Sequence, residues 1–151
     1  METSATAVRQ HEATDANLEI RPLESDDRAF VVKSWLNSYR LSPFGRQIVG
    51  TVYWDGQKAA IDRILSRPGT TAQVACLASS PYVLFGYVVT EGDVLHYVFV
   101  KPDARNYGIG SALLASAEIP KNPRLSHVTD DWSRYLRNRY PQSRWDPYLV
   151  G

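Results

Sequence analysis

The residues with the most legible chemistry lie between Val98 and Ser111. An apolar run, Val98-Phe99-Val100, passes through Lys101-Pro102 and a polar stretch containing Arg105, Asn106 and Tyr107. Gly108-Ile109-Gly110-Ser111 then opens an amphipathic segment. A strand that runs through a glycine-containing loop into a helix makes an anion site. The first N–H groups of a helix lack intrahelical partners and point outward. The helix dipole favours negative charge at that end. Gly108 and Gly110 carry no Cβ, so a phosphate can approach the backbone closely. Arg105 adds a fixed positive charge with a forked donor geometry. No Gly-Lys-Ser/Thr follows, so this is not a Walker loop. A dinucleotide fingerprint needs three glycines in a βαβ context, and both are missing.

The elements that must hold this segment can be read from periodicity. Leu18 to Pro22 alternates as a first strand. Ser25 or Asp26 can cap a helix, and Asp26 and Asp27 suit its N-terminus. Val31, Val32, Trp35, Leu36 and Tyr39 share one face of that helix, and Ser42-Pro43-Phe44-Gly45 breaks it. A second helix is expected from Gly56 to Ser66, stopped by Arg67-Pro68-Gly69. Three strands follow, Ala72–Ala78, Tyr82–Thr90 and Val94–Val100, joined by short polar linkers that read as antiparallel hairpins. Lys101–Tyr107 is a loop and Gly108–Ala117 a helix. Leu125–Thr129 is a strand, Asp131–Tyr140 a helix and Trp145–Val150 a last extended segment. The order β-α-α-β-β-β-α-β-α-β describes one α+β domain, residues 18–151, around a mostly antiparallel sheet with flanking helices. Residues 1–17 are polar, lack periodicity and read as a disordered tail.

Composition narrows the function classes. The chain has 151 residues, 44% of them apolar and 22% charged, as expected of one globular domain. The net charge of +1 supplies no strong field toward nucleic acid or membrane. Cys76 is the only cysteine, so no internal disulfide forms, and its apolar neighbours make it a small buried hydrophobe. No apolar stretch approaches the ~18 residues that a membrane span requires, and the N-terminus lacks a signal-peptide pattern. A reducing, cytoplasmic setting is the expectation.

Arg105-Asn106-Tyr107-Gly108-Ile109-Gly110 resembles motif A of the GNAT acetyltransferases, whose core is Arg/Gln-x-x-Gly-x-Gly/Ala. Ile20-Arg21-Pro22 with Asp26, and the strand glycine Gly86, are similar to the same family, and the resemblance covers about two-thirds of the chain. It implies a GNAT fold and an acetyl-CoA-dependent N-acetyltransferase with acetyl-CoA as co-substrate and no metal. It further implies that the coenzyme diphosphate meets the amides of Asn106, Tyr107, Gly108, Ile109 and Gly110, with Arg105 and the Ser111 hydroxyl nearby. Val98 and Val100 would pair their backbones with the pantetheine arm, between this strand and Leu125–Thr129. A backbone N–H near Phe99 would polarise the acetyl carbonyl.

Family members often place a glutamate base on the strand before the motif. Here Glu91 and Asp93 only flank that strand. His96 is a candidate base, as is His127 in the strand after the helix, although a strand histidine satisfied by its partners reads equally well. Tyr135 is the candidate acid, at the start of the following helix, with Tyr140 as its alternative. Asp130 and Asp131 either bind a cationic acceptor or cap that helix. Trp35, Tyr39, Tyr53 and Trp54 flank the acceptor groove that the resemblance implies. Arg134, Arg137, Arg139 and Arg144 make either a solvated basic face or a nucleic-acid contact. The Ser34-Trp35 helix and Asp146-Pro147-Tyr148-Leu149 are also similar to small GNAT-like proteins of bacteriophages. This implies a host-cytoplasmic setting and a protein lysine or a modified nucleobase as acceptor, beside a small-molecule amine. The alternatives are a GNAT-fold protein acting on nucleic acid and a non-catalytic acyl-CoA-binding module, in either case a monomer or homodimer.

Overall fold

The structure, a computed structural model, describes residues 17–151, except the side chains of residues 130–133. The expected N-terminal tail therefore lies outside the described residues, apart from Asn17. The same holds for the side-chain roles expected of Asp130, Asp131 and Trp132. Six strands form one sheet in sequence order: β1 Leu18–Pro22, β2 Thr70–Leu77, β3 Ser80–Glu91, β4 Val94–Val100, β5 Arg124–Leu125 and β6 Arg144–Trp145. Pairing is antiparallel from β1 to β4, and parallel from β4 to β5 and from β5 to β6. The helices are α1 Arg28–Arg40, α2 Pro43–Arg46, α3 Gly50–Ser66, α4 Ile109–Ser116 and α5 Asp130–Arg139. The expected α+β architecture is the observed one. Among the described residues no helix is long and apolar enough to cross a membrane.

Each face of the sheet carries a core. On one face α1 and α3 cover Val74, Cys76, Tyr87, Val89, Tyr97 and Phe99 with Val31, Trp35, Ile61 and Ile64. On the other, α4 and α5 cover Ala75, Val88, Leu95, Val98 and Val100 with Ile109, Leu113, Leu114 and Leu136. Being covered on both sides, β4 is buried at every position, which is why Val94–Val100 reads as a continuous apolar run rather than an alternation.

The register of β4 contains one irregularity that shapes the site. Val89 pairs with Tyr97 but Thr90 pairs with Leu95, so His96 is the extra residue of a β-bulge. The bulge resets the alternation: Leu95 and Val98 share one face, and Tyr97 and Phe99 the other. It also changes which edge each backbone group faces. Beyond the bulge, the Lys101 amide donates to Phe85 O at 2.8 Å. The alternation of an antiparallel ladder then turns Phe99 and Tyr97 toward β3, and Val98 and Val100 away from it.

Several boundaries differ from the sequence expectation. The second long helix begins at Gly50 rather than Gly56. Two glycines and β-branched residues argue against those first turns, but Tyr53 overrides them. It is buried, its hydroxyl donates to Leu36 O at 2.6 Å, and the Arg40 guanidinium lies 5.0 Å from its ring centre. The expected break at Ser42–Gly45 contains the short helix α2, capped by Ser42 Oγ accepting from the Gly45 amide. The strand expected over Leu125–Thr129 stops at Leu125; beyond it Ser126 Oγ bonds His96 Nδ1 and His127 Nδ1, and His127 packs against Trp35 and Tyr39. The last segment is a two-residue strand followed by a 3-10 turn at Pro147–Val150, capped by Asp146.

Candidate active site

The ladder between β4 and β5 is brief. Its last bond runs from the Ser126 amide to Leu95 O at 3.3 Å, and from His96 onward the two chains diverge. Val98 and Val100 turn their backbones to this side, so β4 presents a strand edge with no strand beside it among the described residues. Arg105 Nε donates to Val100 O at 3.0 Å, which occupies that carbonyl and folds the loop back on the strand end.

At the far end of the loop, Asn106 and Gly108 adopt positive φ values of 70° and 79°. Gly108 is the N-cap of α4, and no side chain caps that helix. A left-handed turn immediately before an uncapped helix aims successive amides at one point, an anion nest. The cavity that forms there has a volume of about 370 Å³ and is lined by Val100, Ala104, Arg105, Asn106, Gly108, Ile109, Gly110, Ser111 and Tyr135. Eight residues singled out in the sequence therefore share one wall. Tyr107 is not among them; it is half-exposed. Phe99 lies instead in a neighbouring cavity of about 520 Å³, with Ser34, Asn37, Ser38, Leu41, Ser42, Pro102, Arg105 and Thr129. Arg105 borders both spaces. Val98 and His96 line a narrow crevice between β4 and the chain after β5, together with Leu95, Tyr97, His127, Thr129 and Leu136.

Tyr135 sits midway along α5, not at its start, and its hydroxyl forms a short hydrogen bond with Ser111 Oγ. This places it over the N-terminus of α4. Tyr140 is buried in the core and receives a hydrogen bond from Arg139 Nε at 3.3 Å. His96 is 1% exposed, and both its nitrogens are engaged: Nδ1 with Ser126 Oγ at 2.7 Å and Nε2 with Glu91 Oε1 at 2.8 Å. Burial lowers its pKa despite the carboxylate. His127 is buried against Trp35, Tyr39 and Tyr97, and that burial pushes its pKa down to about 3. Of the aromatic residues expected around an acceptor groove, Trp35, Tyr39 and Tyr53 are buried and Trp54 is half-exposed.

Sequence reasoning missed the polar wall contributed by Ser34, Asn37, Ser38 and Thr129. Ser34 and Ser38 sit one turn apart on α1, and their hydroxyls meet those of Tyr87 and Tyr97 at 3.1 and 2.7 Å. The i, i+4 spacing of these serines beside the apolar stripe was the available signal.

No family model matches this chain, and no curated protein matches it. Solved structures do. The chain is similar to a candidate acetyl transferase from Pyrococcus furiosus over 85% of its own length and 81% of that chain, at 20% identity and a TM-score of 0.53. It is also similar to a Corynebacterium glutamicum structure named as histone acetyltransferase HPA2 and related acetyltransferase. That likeness covers 67% of this chain and 70% of the other, at 17% identity and a TM-score of 0.54. At such identities the likeness is one of fold.

Proposed function

We propose that this chain, whose fold is that of the GNAT N-acetyltransferases, is an acetyl-CoA-dependent enzyme that moves an acetyl group to a primary amine by direct attack. The observation that carries the reading is a junction: the edge of β4, beside which no strand lies past Leu95 among the described residues, ends at Val100 in the cavity formed at the uncapped N-terminus of α4. An extended amide chain ending in a diphosphate matches those two features in that order. The amide chain adds to a strand edge and the diphosphate to a nest of amides. The residues present therefore fit the co-substrate.

Acetyl-CoA supplies an activated thioester carbonyl. The protein supplies binding, alignment and proton management. The amides from Asn106 to Gly110 receive diphosphate oxygens, with Arg105 beside them. The Val98 backbone, turned toward the crevice, pairs with the pantetheine amides, and its N–H is the donor placed to polarise the carbonyl. The Phe99 amide is directed toward β3 and does not serve. Tyr135 is the acid we assign to the leaving sulfur, with Ser111 orienting its hydroxyl. The acceptor reaches the crevice from the face covered by α1 and α3.

The test is calorimetric titration of acetyl-CoA, with Arg105→Ala and Gly110→Trp as controls. Binding near micromolar that both substitutions weaken is the expected result. A folded wild-type chain that binds nothing at millimolar acetyl-CoA would overturn the reading.

A further inference from the structure

A third cavity, of about 250 Å³, opens on the same face as α1 and α3. Its walls include Phe44, Val52, Tyr53 and Trp145, and its polar side chains include Gln57 and His127. Arg63, the charged side chain of the lining, is held by the Val150 carbonyl at 3.2 Å. His127 borders both this cavity and the crevice beside β4.

From His127 an unbroken chain of hydrogen bonds runs to the end of β3. Gln57 Nε2 meets His127 Nε2 at 2.7 Å, and His127 Nδ1 meets Ser126 Oγ at 2.8 Å. Ser126 Oγ meets His96 Nδ1 at 2.7 Å, and His96 Nε2 meets Glu91 Oε1 at 2.8 Å. One arrangement of protons satisfies every link of this chain. The Glu91 carboxylate only accepts, so neutral His96 carries its proton on Nε2 and leaves Nδ1 bare. Ser126 must then donate to His96, and its oxygen must accept from His127 Nδ1–H. That leaves His127 Nε2 bare, which is the atom an amide N–H of Gln57 would satisfy. Assignments made from the two ends agree at every link. Glu91, about a third exposed and paired with Arg67, is the outlet to solvent.

Resting on the acetyltransferase reading, we infer that Gln57, His127, Ser126, His96 and Glu91 form a proton relay. It serves a primary amine carried on a single-ring apolar body seated in the third cavity. A cavity of about 150 Å³ holds one benzene ring, so 250 Å³ accommodates a ring and a short aminoalkyl arm. The amine displaces the Gln57 amide; as its nitrogen bonds to the acetyl carbonyl carbon, one N–H bond breaks and the proton joins His127 Nε2, while the C–S bond breaks and the departing sulfur takes a proton from Tyr135. The Nδ1 proton passes to Ser126, the Ser126 proton to His96 Nδ1, and the His96 Nε2 proton to Glu91, which releases it to solvent. A second proton, taken up by Glu91 from solvent and passed in the reverse direction to water refilling the cavity, restores the starting tautomers. Three further observations favour transit over storage. Burial depresses both imidazoles, so neither holds a second proton. Hydrogen bonds from His96 and Arg67 keep Glu91 ionised and ready to accept. Trp35, packed edge-on against His127, has a buried indole N–H with no acceptor among the described residues, a donor that a bound ligand can satisfy.

The experiment uses the full chain and 2-phenylethylamine, with ethanolamine as the comparison amine. Wild type is expected to acetylate the aromatic amine preferentially. Ser126→Ala is expected to lower kcat by roughly 10²- to 10⁴-fold, with acetyl-CoA affinity and the amine KM unchanged; Ser126→Thr, which keeps the hydroxyl, recovers most of the rate. Independently of turnover, nitrogen NMR of the imidazoles is expected to show the proton on Nδ1 of His127 and Nε2 of His96. The relay is overturned if Ser126→Ala retains kcat within about threefold, or if His127 carries its proton on Nε2. Acetyl-CoA binding with preference for ethanolamine overturns the acceptor class alone. Absence of acetyl-CoA binding removes the parent reading and the relay with it.

Discussion

Gly86→Ala is the substitution whose consequence follows most directly from the packing of β4. Gly86 stands opposite Val100 in the β3–β4 ladder. A Cβ built there would meet the Phe99 carbonyl oxygen at a separation no real contact shows, with Val100 Cα at 3.1 Å and the Phe99 carbonyl carbon at 3.2 Å. All three atoms are backbone, so no rotamer change relieves the clash; β4 itself must move. Overpacking of this kind costs about 1–3 kcal/mol. For a domain of this size each kcal/mol lowers Tm by about 2–4 °C, so a fall of roughly 2–12 °C is expected by calorimetric or circular-dichroism melting. These atoms face β3, and displacing them carries along the other edge of β4, where Val98 faces the crevice. A shift of about 1 Å there can cost ~10²-fold in rate. Acetyl-CoA affinity, measured by titration on protein still folded at the assay temperature, is therefore expected to fall together with Tm. A variant with wild-type Tm and wild-type affinity would refute the claim that the close approach at Gly86 sets the position of β4.

Asp27→Asn tests the anchor of β1. Arg21 grips the Asp27 carboxylate at 2.6 and 3.1 Å, the Glu24 amide adds a third contact, and both side chains are nearly buried. Leaving Arg21 buried beside a neutral partner is expected to cost about 3–5 kcal/mol, read as a drop in the urea midpoint. Acid should weaken the fold in two stages. His127 has its folded pKa depressed to about 3, below the ordinary 6.5; the unfolded chain then binds more protons, so stability is complete above pH 6.5 and declines by up to about 1.4 kcal/mol per pH unit as pH falls toward 3. His96 shifts in the same direction. The Asp27 carboxyl is also depressed, chiefly by its hydrogen bonds from Arg21, so its contribution is lost only as pH falls through its folded pKa, at the acid end. His127→Gln is expected to flatten the decline between pH 6.5 and 4.5 and leave the acid limb in place. An unchanged slope in equilibrium melts would show that His127 is not the buried neutral group described.

Much of the fold was legible because it is written locally. The three hairpin strands, the α1 stripe of Val31, Trp35 and Tyr39, and the loop from Arg105 to Gly110 each announce themselves within a short window. What the sequence hid is non-local. The first turns of α3 form because Tyr53 finds Leu36 and Arg40, 17 and 13 positions earlier in the chain. The bulge at His96 leaves no local mark, since Leu95, His96 and Tyr97 read as ordinary strand residues; only the register against Thr90 and Val89 exposes it. That bulge turns the Val98 backbone to the open edge, and Ser126 closes on His96 beside it. Glu91 illustrates the limit most clearly. As a flanking residue outside β4 it was set aside in the search for a strand carboxylate. In the fold, the hairpin turn carries it back onto His96, five positions away, with no element between them. A carboxylate can thus reach a buried strand residue without occupying a position in that strand, because the last residue of β3, paired with Val94, extends its side chain to the imidazole of the bulged His96.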